Sequence, residues 1–150
     1  MPLPELVRII DTLPRDFAAT HAEARGEGHR HLTRLADDWA SRAMRFERDG
    51  EMLLAAYLEG QLAGIGGLTV DAVTIGAFRM RRFYIRPGFR RRGIGRLLAA
   101  ALIERMLPTA RAVTVNAGIA GASAFWEALG FAPDPRAGHT HILHIDRRAG

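Results

Sequence analysis

The chain has 150 residues and no cysteine, which excludes disulfides, thiolate metal sites and a cysteine nucleophile. A hydrophobic content of 48% with 25% charged residues predicts one globular domain over residues 1–150, and no apolar run reaches the length of a membrane span. The formal net charge is +5 and all 21 basic residues are arginine, so a lysine Schiff base and a P-loop lysine are both excluded.

Hydrophobic periodicity and turn residues predict a chain in which helices and strands alternate. Strands are expected at residues 5–10, 52–58, 61–70, 80–85, 112–116 and 139–145. Helices are expected at residues 15–25, 30–45, 96–107 and 118–129. Phe131-Ala132 enters a further strand, which Pro133-Asp134-Pro135 is expected to break. The pattern favours a mixed α/β domain whose helices cover a central sheet.

Glycines refine the expected sheet at two places. Glu59-Gly60 separates the second and third strands as a two-residue hairpin turn, with glycine where a positive φ is tolerated. Gly64, Gly66 and Gly67 weaken the third strand, which predicts a bulge or a close backbone approach there.

The stretch from Arg79 to Met106 carries the strongest functional signal. Its predicted strand ends at Pro87-Gly88, and the segment Arg90-Arg91-Arg92-Gly93-Ile94-Gly95 then leads into a helix. A helix N-terminus carries about half a positive charge and several unpaired N–H groups. Two glycines allow close backbone approach, and eight arginines lie between Arg79 and Arg96. This combination suits an anionic phosphate group.

Other phosphate-binding and nucleic-acid-binding patterns fit this stretch less well. Gly93-Ile94-Gly95-Arg96-Leu97-Leu98 lacks the third glycine of the dinucleotide fingerprint, and segment 90–95 fails the P-loop pattern. We expect no nucleic-acid partner, because no aromatic residues are arranged for base stacking and no helix-turn-helix or zinc signature is present. From spacing alone, a basic surface loop without a ligand remains an alternative.

Two motifs follow one another between Phe83 and Phe131. The first is segment 83–87, FYIRP, followed by segment 90–95, RRRGIG; the second is Asn116 followed by segment 124–131, AFWEALGF. They resemble the hydrophobic strand with its R/Q-x-x-G-x-G/A loop, and the later asparagine with A-x-x-[FL]-Y-E-K-L-G-F, of the GNAT superfamily of acyl-CoA-dependent N-acyltransferases. Both motifs in this order are a specific signal, and the resemblance covers nearly the whole chain.

The resemblance implies a fold. It is a central, mostly antiparallel, twisted sheet of about seven strands, flanked by about four helices. The fourth and fifth strands of this α/β (α+β mixed) fold splay apart.

The resemblance also implies acetyl-CoA as cosubstrate. The loop amides and the helix N-terminus hold the CoA pyrophosphate, and the preceding strand offers backbone groups to the pantetheine arm. Amides of this kind also stabilise a developing oxyanion. The implied cofactor-binding residues are Phe83, Tyr84, Ile85, Arg90, Arg91, Arg92, Gly93, Ile94, Gly95, Arg96, Asn116 and Trp126.

The residues for proton transfer are less clear. Trp126 stands where the family usually has a tyrosine that protonates the departing thiolate, and an indole N–H is not a useful acid. Two alternatives are open: Trp126 is a packed wall of the site, or Tyr84 replaces it as the acid. The strand at 79–84 offers no carboxylate that could act as the base. The remaining candidate bases are Glu27, His29, His31, Asp71, His141 and His144, with water as another alternative. His139 and His141 share a strand face, but no third ligand is evident and we expect no metal.

The sequence therefore predicts a cytoplasmic, bacterial N-acetyltransferase that acts on a primary amine. The acceptor is a small molecule or a peptide amine, and Glu27, Asp37 and Asp38 slightly favour a cationic one. No membrane partner is expected, and a homodimer is a further alternative to a monomer. The competing hypothesis is a non-catalytic acyl-CoA-binding sensor or regulatory module.

Overall fold

The computed structural model describes residues 2–118, 122–136 and 138–145. The strands are β1 (Glu5–Arg8), β2 (Met52–Leu58), β3 (Gln61–Val70), β4 (Ala77–Ile85), β5 (Ala112–Val115), β6 (Ala132–Arg136) and β7 (His139–His144). The helices are α1 (Phe17–Gly26), α2 (His31–Ser41), α3 (Ile94–Glu104) and α4 (Ala122–Ala128), with a 3-10 turn at Pro87–Phe89. Residues 119–121, the first part of the predicted fourth helix, lie outside the described residues. No helix in the described ranges is long and apolar enough to cross a membrane.

The described strands form one seven-stranded sheet in the order β1-β2-β3-β4-β5-β7-β6. Every neighbouring pair is antiparallel except β4 and β5, which are parallel. These two strands pair only from Ala77 with Ala112 to Met80 with Val115. Since β4 continues to Ile85 beside β3, its second half opens away from β5. The predicted mixed α/β fold and its splayed strand pair are confirmed.

Helices cover both faces of the sheet. The fully buried Leu32 and Leu35 of α2 pack with α1 on one face. Leu98 and Leu102 of α3, with Trp126 of α4, pack on the other. Burying a leucine side chain contributes roughly 1.5–3 kcal/mol, so both helix layers help to stabilise the sheet.

The glycine-based predictions for β2 and β3 are confirmed. Glu59 and Gly60 have φ values of 51° and 80°, as a two-residue hairpin turn requires. Gly66 lies where β3 has one residue opposite two on β4, so the bulge itself is on β4, at Arg82 with φ 56°. A Cβ at Gly66 would lie 2.7 Å from the Phe83 ring, which is the close approach expected there.

The prediction that Pro133-Asp134-Pro135 breaks a strand is wrong, because β6 runs through all three residues. This strand is at the edge of the sheet and pairs only with β7. Proline is tolerated on an edge strand, since the missing N–H can face away from the ladder. The other element boundaries differ from the predicted ones by a few residues.

Candidate functional site

A cavity of about 1030 Å³ opens where β4 and β5 part. The second half of β4, the loop before α3, the end of β5, α4 and the residues before α2 all contribute to its wall. The expected cofactor-binding residues on this wall are Phe83, Tyr84, Ile85, Arg90, Arg91, Gly93, Ile94, Gly95, Arg96, Asn116 and Trp126. Arg92 is not on the wall, and its guanidinium lies 5.8 Å from the ring of Phe89.

The N-terminus of α3 faces the cavity with free donors. Gly93, at the N-cap, has φ 78° and Arg91 has φ 63°, so the loop turns twice through the left-handed region before the helix begins. No side chain in the described part of the chain caps this helix. The first-turn N–H groups have no intrahelical partner, and exposed arginine side chains add formal positive charge. The arrangement is suited to bind a phosphate group.

Gly95 lets α3 and α4 approach closely. A Cβ at this position would lie 3.1 Å from Phe125 and 3.4 Å from Ile85. A larger residue would therefore require Phe125 to shift.

A hydrogen-bonded trio lies beside the loop. The Tyr84 hydroxyl donates to Glu27 at 2.5 Å, and both terminal nitrogens of Arg90 donate to Glu27 at 2.6 and 2.8 Å. The Arg90 and Tyr84 hydrogen bonds lower the pKa of Glu27 to about 2. Burial, with the same hydrogen bond, raises the pKa of Tyr84. A carboxylate this acidic is a weak base, and a phenol this basic is a weak acid, so the trio is better suited to positioning the loop.

Two histidines line the cavity beside Tyr84. The rings of His29 and His31 lie 5.3 Å apart, and each lies within 6 Å of the Tyr84 ring. The Nε2 of His31 donates to the carbonyl of Phe83 at 3.1 Å. Burial, with His29 nearby, lowers the pKa of His31 to about 4 and keeps this imidazole neutral at neutral pH. The side chain of His29 makes no hydrogen bond within the described residues.

Trp126 closes the α4 side of the cavity. Its side chain is 4% exposed and its ring contacts those of Phe83, Phe125 and Phe131 at centroid distances of 5.0, 4.9 and 5.2 Å. This geometry is that of a packed wall.

The other candidate bases lie away from the cavity. The buried carboxylate of Asp71 accepts hydrogen bonds from Thr114 and from two amides of its own loop. Burial alone would raise the pKa of Asp71, but these hydrogen bonds hold it below its ordinary value.

The histidines of β7 also lie outside the cavity. His141 donates to Glu127 at 2.8 Å, and His144 is exposed at the far end of β7. His139 donates to Asp134, and no group of three metal-binding side chains exists in the ranges described.

The described residues do not form the expected acidic acceptor region. Glu27 pairs with Arg90 and Asp38 pairs with Arg82, so neither is free for a cationic acceptor, and Asp37 is exposed outside the cavity. The cavity wall next to α2 is instead lined by arginines to which the sequence assigned no role. They are Arg30, Arg34, Arg79, Arg81 and Arg82. The alternation of Arg79 and Arg81 along β4 could have indicated a shared face.

A sheet that opens between two parallel strands, over an uncapped helix N-terminus, is the arrangement expected of an acyl-CoA-dependent transferase. The family described as the acetyltransferase (GNAT) domain matches residues 20–146. The chain therefore belongs to the GNAT acetyltransferase family. No curated protein matches the chain.

Solved structures share the fold at low sequence identity. A protein of Exiguobacterium sp. 255-15, assigned as an acetyltransferase, is 22% identical with a TM-score of 0.84, over 94% of this chain and 93% of that one. The ribosomal-protein-S18-alanine N-acetyltransferase of Escherichia coli is 19% identical with a TM-score of 0.65, over 99% and 97%. The PaiA N-acetyltransferase of Thermoplasma acidophilum, solved with coenzyme A, is 15% identical with a TM-score of 0.63, over 95% and 98%.

Proposed function

We propose that this protein is a cytoplasmic N-acetyltransferase, a single domain over residues 1–150, that transfers an acetyl group from acetyl-CoA to a primary amine. The observation that carries the proposal is one continuous cavity, which joins the uncapped N-terminus of α3 to the open edge of β4. An extended molecule with phosphates at one end and a thioester at the other fits such a cavity.

The phosphates belong at the α3 end. We place the pyrophosphate at the predicted loop residues that line the cavity, which are Arg91, Gly93, Ile94, Gly95 and Arg96. The unpaired first-turn amides and the positive φ values of this loop support that placement. Arg90 is held by Glu27 and by the carbonyl of Ile85, which favours a role in fixing the loop.

The thioester belongs beside the open half of β4. Phe83, Tyr84 and Ile85 have no partner on β5, so their backbone is the proposed contact for the pantetheine arm and the oxyanion. Asn116 and Trp126 close the opposite side.

The proposed reaction is direct attack of the amine nitrogen on the thioester carbonyl carbon. A C–N bond forms, the C–S bond breaks, and the electron pair leaves with the CoA sulfur as thiolate. The nitrogen gives its proton to His29, the imidazole of the cavity wall that is free of side-chain hydrogen bonds in the part of the chain described. A thiol has a pKa of about 8.5, so the thiolate departs without a strong acid.

Isothermal titration with acetyl-CoA tests the cofactor. We expect saturable binding at micromolar to millimolar concentration, and no heat at millimolar ligand would refute the proposal. Release of free CoA thiol in the presence of a library of primary amines tests the reaction.

A non-catalytic acyl-CoA sensor is the competing function. Two observations favour it: Trp126 replaces the usual acid, and the hydroxyl proton of Tyr84 is donated to Glu27. Tight acetyl-CoA binding without thiol release across the amine library would favour the sensor, and turnover with any amine would favour the enzyme.

A further inference from the structure

A cluster of arginines lines the end of the cavity farthest from the α3 loop. Arg30 and Arg34 come from the start of α2, and Arg79, Arg81 and Arg82 come from β4. Phe78 and Met80 pack on the α3 side of the sheet, so strand alternation places Arg79 and Arg81 on the α2 side. The bulge at Arg82 brings this side chain to Asp38 of α2.

Carboxylates neutralise only part of this charge. Asp71 lies 3.7 Å from Arg79, and Asp38 lies 3.2 Å from Arg82. Arg30, Arg34 and Arg81 belong to none of the ion pairs formed by the described residues. No Asp or Glu of those residues lines the cavity, so this end keeps an excess of positive charge.

Some of these guanidinium donors are buried and unused. The side chain of Arg82 is 8% exposed, and its Nε has no hydrogen-bond partner among the residues described. The Nε of Arg79 also has no hydrogen-bond partner among these residues, and its Nη2 makes only the 3.7 Å ion pair with Asp71. Burial, followed by the charge of Arg79, lowers the pKa of Arg81, and the carboxylates of Asp38, Asp71 and Glu51 act in the opposite direction. Unneutralised buried charge is unfavourable for the fold alone and is relieved when an anion binds.

The cluster is separate from the proposed phosphate-binding loop. Pairing between β4 and β5 ends at Met80, and Arg81 is the next residue. Arg81 is paired with Gly67 and Ile85 with Gly64, three residues apart on β3, so at a strand rise of about 3.3 Å per residue Arg81 lies about 10 Å along the sheet from Ile85, with the loop beyond it. The proposed thioester position at Phe83–Ile85 therefore lies between the two positive regions.

We propose that the acceptor amine carries an anionic group, a carboxylate or a phosphonate, which this arginine cluster binds while the amine reaches the thioester. The inference rests on the proposed acetyl transfer and names its substrate class. Arg81 is the specificity-determining residue, because it is half-buried on the cavity wall and free of ion pairs with the described residues. Guanidinium groups favour such oxyanions because they donate two parallel hydrogen bonds.

A matched series of three-carbon or similarly sized amines tests the charge preference. The probes are propylamine, β-alanine, 2-aminoethylphosphonate and 1,3-diaminopropane, compared by kcat/KM from thiol release and by binding to the CoA-saturated protein. Charge-assisted pairs of this kind predict a preference for the anionic amines over propylamine of about tenfold or more. Equal or stronger use of 1,3-diaminopropane would overturn the inference and leave acetyl transfer intact.

Arg81→Gln, with Arg105→Gln as its control, locates the preference. Arg105 is an exposed arginine at the far end of α3, outside the cavity. Arg81→Gln should raise KM for the anionic amines by about tenfold, with little change in kcat or in acetyl-CoA affinity. Arg105→Gln should behave as the wild type. An unchanged preference in Arg81→Gln would overturn the role of this arginine.

Binding and turnover separate the two proposals. Preferential binding of the anionic amines without thiol release would support the anion site and refute the transferase. Turnover without any charge preference would support the transferase and refute the anion site.

Discussion

Gly93 separates the effects of backbone strain and of charge at the N-terminus of α3. Its φ is 78°, and a Cβ would meet no atom within 4 Å, so a substitution is strained without a clash. Gly93→Asp and Gly93→Asn share this strain, roughly 1–2 kcal/mol, and differ only in charge. The carboxylate favours the helix N-terminus but opposes a bound pyrophosphate.

We therefore expect Gly93→Asp to be at least as stable as Gly93→Asn and to bind acetyl-CoA about tenfold more weakly or worse. Urea unfolding and isothermal titration measure the two quantities. Equal affinity in the two variants would contradict the placement of the pyrophosphate.

His31 should make stability depend on pH. Its pKa is about 4 when folded against 6.5 as a free residue, so the unfolded chain binds more protons between these values. The free energy of unfolding should thus rise from pH 4 to pH 6.5, by at most about 3 kcal/mol from this residue. Urea unfolding across this pH range measures the slope.

His31→Gln should lose that part of the slope, because glutamine does not titrate. Its amide can still donate to the carbonyl of Phe83, so the hydrogen bond is kept. His144→Gln is the control, because His144 is exposed at the end of β7. If His31→Gln keeps the full slope, another group is responsible.

The individual residues of the site could be predicted only where the motif names them. The resemblance implied the loop 90–96 and the strand 83–85, and these residues line the cavity apart from Arg92. The arginine cluster on the cavity wall could not be predicted in this way. Glu27 and Asp38 read as free carboxylates, and only tertiary contacts reveal that Arg90 and Arg82 occupy them.

Among the described residues of helix α4, Trp126 is the buried one. The seven residues of this helix are too few for a stable isolated helix, and Trp126 anchors it among three phenylalanine rings. Trp126→Ala should reduce the free energy of unfolding by about 3–5 kcal/mol. Leu97→Ala, at an exposed position of α3, should change it by less than about 0.5 kcal/mol.

Trp126→Phe then tests whether this residue also takes part in catalysis. A phenyl ring preserves the wall and removes the indole N–H. We expect kcat to stay within about fivefold of the wild type, whereas loss of a positioned acid would lower it by about 10²–10⁴-fold. A fall of that size, in a variant that still binds acetyl-CoA, would assign Trp126 to the chemistry.

Elements with local signals were predictable, and those that depend on sheet position were not. The β2–β3 hairpin follows from Glu59-Gly60, whose positive φ values need only neighbouring residues. The failure at β6 has a different origin. Pro133 and Pro135 forbid an interior strand but not an edge strand, and edge position is decided by the whole sheet.

At the scale of the whole molecule, the sheet opens where its function is proposed. Only four residues of β4 pair with four of β5, and the strands then separate. Neither this register nor the splay is visible in hydrophobic periodicity. The family resemblance implied the splay, and the register was not predicted. At the proposed position the ligand would contact β4 and α3 on one side and Asn116 and α4 on the other, and so would join the two parts of the sheet.

Acetyl-CoA should accordingly stabilise the entire fold. A ligand that binds only the native state at a concentration of 100 times its Kd adds about 2.7 kcal/mol to the free energy of unfolding. For a chain of this length, that corresponds to an increase in Tm of about 5–10 °C, measured by thermal unfolding. Inorganic phosphate at matched ionic strength should give a much smaller increase, because it does not reach across the splay. Gly93→Asp at the same acetyl-CoA concentration should also respond less, since its affinity is lower. An equal shift in Gly93→Asp and in the wild type would mean that the ligand stabilises the protein from a site other than the α3 N-terminus.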